Sequence, residues 1–308
     1  MSLVIVGSFN MDLMSRTPYL PSGGETVLGG PFKMGPGGKG SNQAVAAARQ
    51  SAEVILVSML GRDSFGEKAA DMLERENIKT EHVFFHSTES TGTALILVDE
   101  QSENMIVVAP GANLCLSPLH VRKAEKDIRA ASLVLLQFEI NMEATIEAIE
   151  LADKHNVPVL LNPAPFVEFN PAILEKVTYI TPNKTEAEGL TGIKIQGEED
   201  VLQAAKKIYK KGVKYVLITL GSSGTYLYSG KETGELIPSF AVNVTDTTGA
   251  GDAFNGGFAC AIDLGFSVKE AVVYGQAAAA LSVTKEGTSP SMPTKEEVEK
   301  FLKERTNG

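Results

Sequence analysis

The sequence contains no tryptophan, two cysteines and four histidines, and each scarcity removes a class of function. Cys115 and Cys260 lie far apart and in no metal-ligand spacing, which argues against a disulfide framework or a cysteine zinc site and fits a reducing cytosol. His82, His86, His120 and His155 fall in no recognisable motif. No apolar run is long enough to span a bilayer, and the chain opens on Leu3-Val4-Ile5-Val6 without a charged leader, so neither membrane insertion nor secretion is expected. Positive charge is also in deficit. Lys and Arg number 28 against 38 Asp and Glu, a net charge of −10, and no basic run is dense enough to follow a phosphate backbone; nucleic acid is not an expected partner. Internal repeats, low-complexity tracts and long linkers are absent as well.

What is present is an ordinary globular composition, 43% hydrophobic and 21% charged over 308 residues, a length near the upper limit for one core. Short β-branched runs recur between helical patterns at Leu3 to Val6, Val54 to Val57, Leu133 to Leu136, Val157 to Leu161, Val177 to Ile180 and Tyr215 to Thr219. This alternation predicts an α/β fold with a mainly parallel sheet covered by helices on both faces. Two segments, 14–34 and 93–109, lack helical periodicity and alternate apolar positions such as Leu95, Leu97, Ile106 and Val108. They predict extra strands forming a small sheet at one edge, as a lid or a dimer surface, on a single domain spanning 1–308.

The run Asp246-Thr247-Thr248-Gly249-Ala250-Gly251-Asp252 joins small backbone groups to one carboxylate at the start of a buried helical pattern, Ala253 to Ile262, and Phe240 to Val244 before it alternates like a strand. The N–H groups of Gly249, Ala250 and Gly251 are expected to face an oxyanion. Asp252, in the first turn, is expected to have a depressed pKa and to accept a proton; the alternative is an N-capping aspartate on a glycine turn. A second glycine run, Gly35-Pro36-Gly37-Gly38-Lys39-Gly40-Ser41-Asn42-Gln43, formally matches G-x-G-x-x-G. It does not directly follow the first strand, as a dinucleotide fingerprint would, and Gly40 stands where a Walker loop needs Ser or Thr. What remains is a close backbone approach with Lys39 and Asn42 beside it, suited to a polyhydroxylated ligand, or a plain helix-entry loop with a solvated lysine.

Asn183 and Glu186 follow the strand Val177 to Ile180. They read either as a phosphate donor and a magnesium organiser acting through water, or as a capping box. Glu139, just past Leu133 to Leu136, falls at a strand end where it could accept from substrate hydroxyls, or be merely solvated. Thr219-Leu220-Gly221-Ser222-Ser223-Gly224 reads either as a hairpin turn or as a wall against a flat purine.

Asn10-Met11-Asp12, Gly37 to Ala44, Asn162-Pro163-Ala164-Pro165, Asn183-Lys184-Thr185-Glu186 and Asp246 to Asp252, in that order over nearly the whole chain, resemble the ribokinase family of sugar and nucleoside kinases. The resemblance implies a three-layer α/β/α ribokinase-like fold with a small β-sheet lid, and a cytoplasmic enzyme using ATP, Mg2+ and K+ to phosphorylate D-ribose at its 5-hydroxyl. Kinases of the same family acting on fructose, deoxyribose or adenosine remain alternatives, as does a non-catalytic sugar-binding regulator. By position, the resemblance makes Asp252 the general base and Gly249, Ala250 and Gly251 its anion hole. Asn10, Met11, Asp12, Gly38, Lys39, Gly40, Ser41, Asn42, Glu139 and Asp252 fall where the family binds sugar. Asn183, Thr219, Leu220, Gly221, Ser222, Ser223, Gly224, Gly251, Asp252 and Gln276 fall where it binds the nucleotide, and Glu186 in its magnesium motif. A potassium site would use Asp246, Thr248, Ser282, Lys285, Gly287 and Ser291, several through backbone carbonyls; residues 276, 282 and 285 are placed by spacing alone. The family also implies a homodimer formed through the lid.

Overall fold

The structure is a computed structural model that describes residues 2–101 and 103–306. Among these, nine strands form the main sheet, in the spatial order Glu235–Ile237, Thr225–Tyr228, Tyr215–Thr219, Tyr179–Ile180, Val159–Leu161, Ala131–Leu136, Ser2–Val6, Glu53–Gly61 and Lys79–His86. Tyr215–Thr219 through Lys79–His86 pair in parallel, and the first two strands are antiparallel. The first strand shows why the sheet is buried on both faces. Val4 and Val6 enter one hydrophobic cluster while Leu3 and Ile5 enter the other, so period-2 alternation sends apolar side chains both ways. Each fully buried Leu or Ile contributes roughly 1.5–3 kcal/mol relative to exposure.

Four further strands form the separate small sheet, in the order Phe32–Gly37, Asn10–Arg16, Gly92–Val98 and Asn104–Ala109. Its outer strand is exposed throughout, with Met105, Ile106, Val107 and Val108 each about half open to solvent. No described helix is long and apolar enough to cross a membrane.

The structure departs from expectation at four elements. Of the segment 14–34, expected as lid strands, only the ends pair, within Asn10–Arg16 and Phe32–Gly37, and residues 17–31 form no strand. Phe240 to Val244 pairs with no strand; the sheet edge ends at Glu235–Ile237, and Phe240 instead packs its ring against Phe301. Lys79–His86 and Glu235–Ile237 are strands that the apolar runs did not reveal, because both lie at the sheet margin where burial is partial.

From Ser2–Val6 the chain winds outward through Glu53–Gly61 to Lys79–His86, then returns to Ala131–Leu136 on the other side of the first strand. That reversal opens a crevice beyond the carboxyl ends of Ser2–Val6 and Ala131–Leu136, the place where open α/β sheets bind ligands.

Candidate active site

The glycine loop fills this crevice by backbone contact. A Cβ on Gly40 would lie 2.5 Å from the Gly7 carbonyl carbon, and Gly38 holds φ at +87°, so both must be glycine. Ser41 N–H donates to the Ser8 carbonyl at 2.9 Å. Glu139 Oε2 accepts from the Ser8 hydroxyl at 2.6 Å and from Lys39 N–H at 2.9 Å, which ties the loop to the strand end. Ser41 is structural, its hydroxyl donating back to the Gly37 carbonyl at 2.5 Å.

Helices Lys39–Arg49 and Ala250–Asp263 then cross closely. Gly256 permits this, since a Cβ there would fall 2.4 Å from Ala46 Cβ and 2.8 Å from the Gln43 carbonyl oxygen. The crossing delivers Asn42 and Gln43 to Asp252. Asn42 Nδ2 donates to Asp252 Oδ2 at 3.0 Å, and Gln43 Nε2 donates to Oδ1 at 2.9 Å. Asp252 is only 6% exposed, and burial pushes its pKa up, against the Lys39 charge and the two amide donors. The expected depression is therefore corrected: desolvation, with Glu139 nearby, outweighs the Lys39 charge and the two amide donors. Lys39 is half-buried; burial alone would lower its pKa, but the fields of Asp252, Glu139 and Glu186 carry it upward.

The anion-hole reading is refined by the backbone. Gly249 is left-handed at φ +79° and the helix begins at Ala250. Ala250 N–H makes a long 3.3 Å contact with the Thr247 carbonyl, so it is not wholly free. Gly249, Gly251 and Asp252 N–H groups have no backbone partner among the described residues, as a helix N-terminus leaves them. Asn255 Nδ2 holds the Gly251 carbonyl at 2.8 Å while Asn255 Oδ1 accepts from Thr181 at 2.6 Å, fixing this loop to a main-sheet strand end.

On the small sheet, Asn10 and Asp12 share one face of their strand. Asn10 Oδ1 accepts from Asn113 Nδ2 at 2.9 Å, and Asn113 also clamps both backbone groups of Phe9. Burial, with Glu139 and Asp252 nearby, raises the Asp12 pKa to about 7, although Thr288 opposes this. Met11 points the other way, into a cluster with Phe9, Leu60 and Ala69, and brings no side chain to the crevice.

Asn183 and Glu186 form the capping box. Glu186 N–H donates to Asn183 Oδ1 at 2.9 Å, and Asn183 donates from its backbone N–H and from Nδ2 to the two Glu186 oxygens. Glu186 is buried, and that burial raises its pKa. The run Thr219 to Gly224 is a turn between antiparallel strands and a cavity wall at once. The cavity, about 590 Å³, is lined by Asn183, Thr219, Gly221, Ser222, Gly224, Ala250, Gly251 and Gln276, with Phe240, Val242, Phe254 and Ala280 supplying apolar surface. Leu220 and Ser223 line a second cavity, which shares Asn183, Thr219 and Gly221 with the first. Gln276 Nε2 donates to the Ile237 carbonyl at 2.8 Å, while its buried Oε1 has no partner among the described residues.

Asp246 organises the remaining loop. Its Oδ1 accepts from Thr248 N–H at 2.9 Å and hydroxyl at 2.7 Å, and its Oδ2 accepts from Gly287 N–H at 3.0 Å. Burial would raise its pKa, but these donors and Arg16 hold it below the ordinary value. The Lys285 ammonium turns away to Glu297, and the Ser282 and Ser291 hydroxyls donate to the Ala279 and Thr288 carbonyls. No group of three or more acidic, His or Cys side chains suited to a metal occurs among the described residues.

Gln43, Gln137, Asn162, Ser289, Asn113 and Ser8 belong to this site, and the residue assignments from sequence omit them. Gln43 and Asn162 lie within the quoted motifs and were thus within reach; the other four carry no local signal.

Comparison with known proteins identifies the family. The family model for pfkB carbohydrate kinases matches residues 1–295. The chain is 43% identical to the ribokinase of Haemophilus influenzae over 301 residues, covering 98% of each chain. It is 37% identical to the deoxyribokinase of Salmonella typhi, covering 98% of this chain and 99% of that one. The structure of Arabidopsis thaliana ribokinase complexed with ribose and ATP superposes with a TM-score of 0.93 at 34% identity, covering 98% of each chain. The chain belongs to the pfkB family of carbohydrate kinases.

Proposed function

We propose that this protein transfers the γ-phosphoryl group of ATP to the 5-hydroxyl of D-ribose, with Asp252 as general base. The observation that carries the reading is Asp252 itself, a buried carboxylate in the first turn of a helix whose Gly251 and Asp252 amides lack a backbone partner, bonded to Asn42 and Gln43 of the glycine loop's helix and next in sequence to Gly251, which lines the cavity. A carboxylate whose pKa burial raises is a stronger proton acceptor than an ordinary aspartate. The sugar sits against Asn10, Asp12, Glu139, Gly38, Gly40 and Asn42. Its hydroxyl oxygen attacks in line while Asp252 takes the proton, and the Gly249 to Gly251 backbone and the Lys39 ammonium receive charge on the transferring group.

ATP fits the cavity beside this centre. The apolar walls suit a purine, and the orphaned Gln276 Oε1 suits an exocyclic amine donor. Glu186 keeps a free lone pair on each oxygen after capping, enough to hold magnesium through water; magnesium would neutralise phosphate charge there. Asp246, ionised and joined to Thr248 and Gly287, fits a potassium site completed by carbonyls, whose ion would set the loop geometry without touching substrate. We read residues 1–308 as one domain whose small sheet acts as a lid and pairs two copies through its exposed apolar strand.

The test is ADP release with ATP, magnesium and potassium over D-ribose, 2-deoxyribose, fructose and adenosine, each against a no-sugar control, with the phosphorylated position identified by NMR. Preference for ribose at carbon 5 supports the proposal. Preference for 2-deoxyribose would transfer the mechanism to that sugar, a reading the Salmonella relative favours. No release with any acceptor would leave a sugar-binding regulator.

A further inference from the structure

Each oxygen of the Asp252 carboxylate ends a separate chain of donors. On one side, Gln137 Nε2 donates to Gln43 Oε1 at 2.6 Å, and Gln43 Nε2 donates onward to Asp252 Oδ1 at 2.9 Å and to Asn162 Oδ1 at 3.1 Å. On the other, the Ser289 hydroxyl donates to Asn42 Oδ1 at 2.7 Å, and Asn42 Nδ2 donates to Asp252 Oδ2 at 3.0 Å. All of these side chains are buried.

The direction of both chains follows from the carboxylate. When ionised it only accepts, so each neighbouring amide must turn its nitrogen inward and its oxygen outward. The outward oxygen of Gln43 then requires a donor, which Gln137 supplies, and that of Asn42 requires one, which Ser289 supplies. Gln137 Oε1 is left with no partner among the described residues and packs against Gly7, where a Cβ would lie 2.2 Å away. Gly7 thus makes room for the end of one chain, and the cost of an unpaired buried oxygen is placed far from the reacting group.

We propose that Gln137 and Ser289, which act through Gln43 and Asn42, are positioning residues that hold Asp252 in one orientation with both oxygens supplied by donors. The inference rests on the reading of Asp252 as the base. Serial donors polarise one another, so each outer residue strengthens the inner bond to the carboxylate. Without the outer donor, the inner amide can rotate and set its oxygen against the carboxylate. The charged groups facing Asp252 are Lys39, Glu139, Asp12 and Glu186, and none of the substitutions below alters them.

The experiment is the pH dependence of kcat at saturating sugar and ATP for wild type, Gln43→Met, Gln137→Met, the double variant and Ser289→Ala. Loss of one direct donor at Gln43 moves the acidic limb up by about one pH unit, a tenfold loss of rate on the acid side. Gln137→Met and Ser289→Ala move it the same way by roughly 0.1–0.7 unit. The double variant moves no further than Gln43→Met, because Gln137 acts only through Gln43. Ser289→Ala removes one hydroxyl and keeps the test available should a buried glutamine variant fail to fold. Unmoved limbs in Gln137→Met and Ser289→Ala, or additive shifts in the double variant, would overturn the proposal. Asp252→Asn in the same assay separates the two failures. Turnover retained there removes base and chains together, whereas turnover lost there with unmoved limbs elsewhere removes the chains alone.

Discussion

Gly256 faces Ala46 so closely that a Cβ on the glycine would lie 2.4 Å from that of the alanine, and this contact sets the distance between the helices carrying Asp252 and Gln43. Replacing Gly256 with Val forces the helices apart. Overpacking of this kind costs about 1–3 kcal/mol, and the displaced Gln43 should weaken its bond to Asp252. Thermal melts and kcat measured together should show a lower Tm and a reduced kcat; wild-type values for both would mean that the crossing does not depend on the glycine.

Asp12 gives a second prediction, because its pKa is raised from 3.8 to about 7. Between those values the folded protein keeps a proton that the unfolded chain has lost, so the stability contribution of Asp12 falls as pH rises through this window. Asp12→Asn should therefore stabilise the ligand-free protein more at pH 8 than at pH 5, read as the difference in Tm. If ionised Asp12 accepts from sugar hydroxyls, KM for ribose should also rise as pH falls below about 7, and this dependence should flatten in Asp12→Asn. A gain in Tm independent of pH would remove the titration from the account.

Glu186 caps its helix and is proposed to organise magnesium, two roles that one substitution can separate. Gln at this position can still cap the helix entry through Asn183 but cannot carry charge toward a cation. Glu186→Gln should melt near wild type while requiring more magnesium for half-maximal activity. An unchanged magnesium titration would leave Glu186 as a cap alone.

Potassium, if held at the Asp246 loop, acts on geometry and not on substrate. Exchanging it for a large organic cation at constant ionic strength should lower kcat, and Asp246→Asn should lose most of that sensitivity. Equal rates in both salts would dismiss the site.

Much of the fold was legible in the sequence because parallel strands buried on both faces carry few polar residues. Leu3 to Val6, Val54 to Val57 and Leu133 to Leu136 stand out for that reason, and all three lie in the main sheet. Lys79–His86 escaped notice because its partly exposed positions admit charge, and Phe240 to Val244 misled because alternation alone supplies no pairing partner. At the site, Asp252 and the glycines around it were visible as a local run. Its pKa direction was not, since a dipole is local to the helix and burial is imposed by the rest of the chain. Gln137 and Ser289 were invisible for the same reason: they reach the carboxylate through residues 94 and 247 positions away.

The measurement that bears most directly on the account is ADP formation by Asp252→Asn with ATP, magnesium, potassium and D-ribose, alongside ATP binding by calorimetry. A positioned base contributes about 10²–10⁴-fold to such a transfer, so kcat should fall by at least that range while ATP affinity stays near wild type. Turnover within a few-fold of wild type would contradict the assignment of Asp252 as the base.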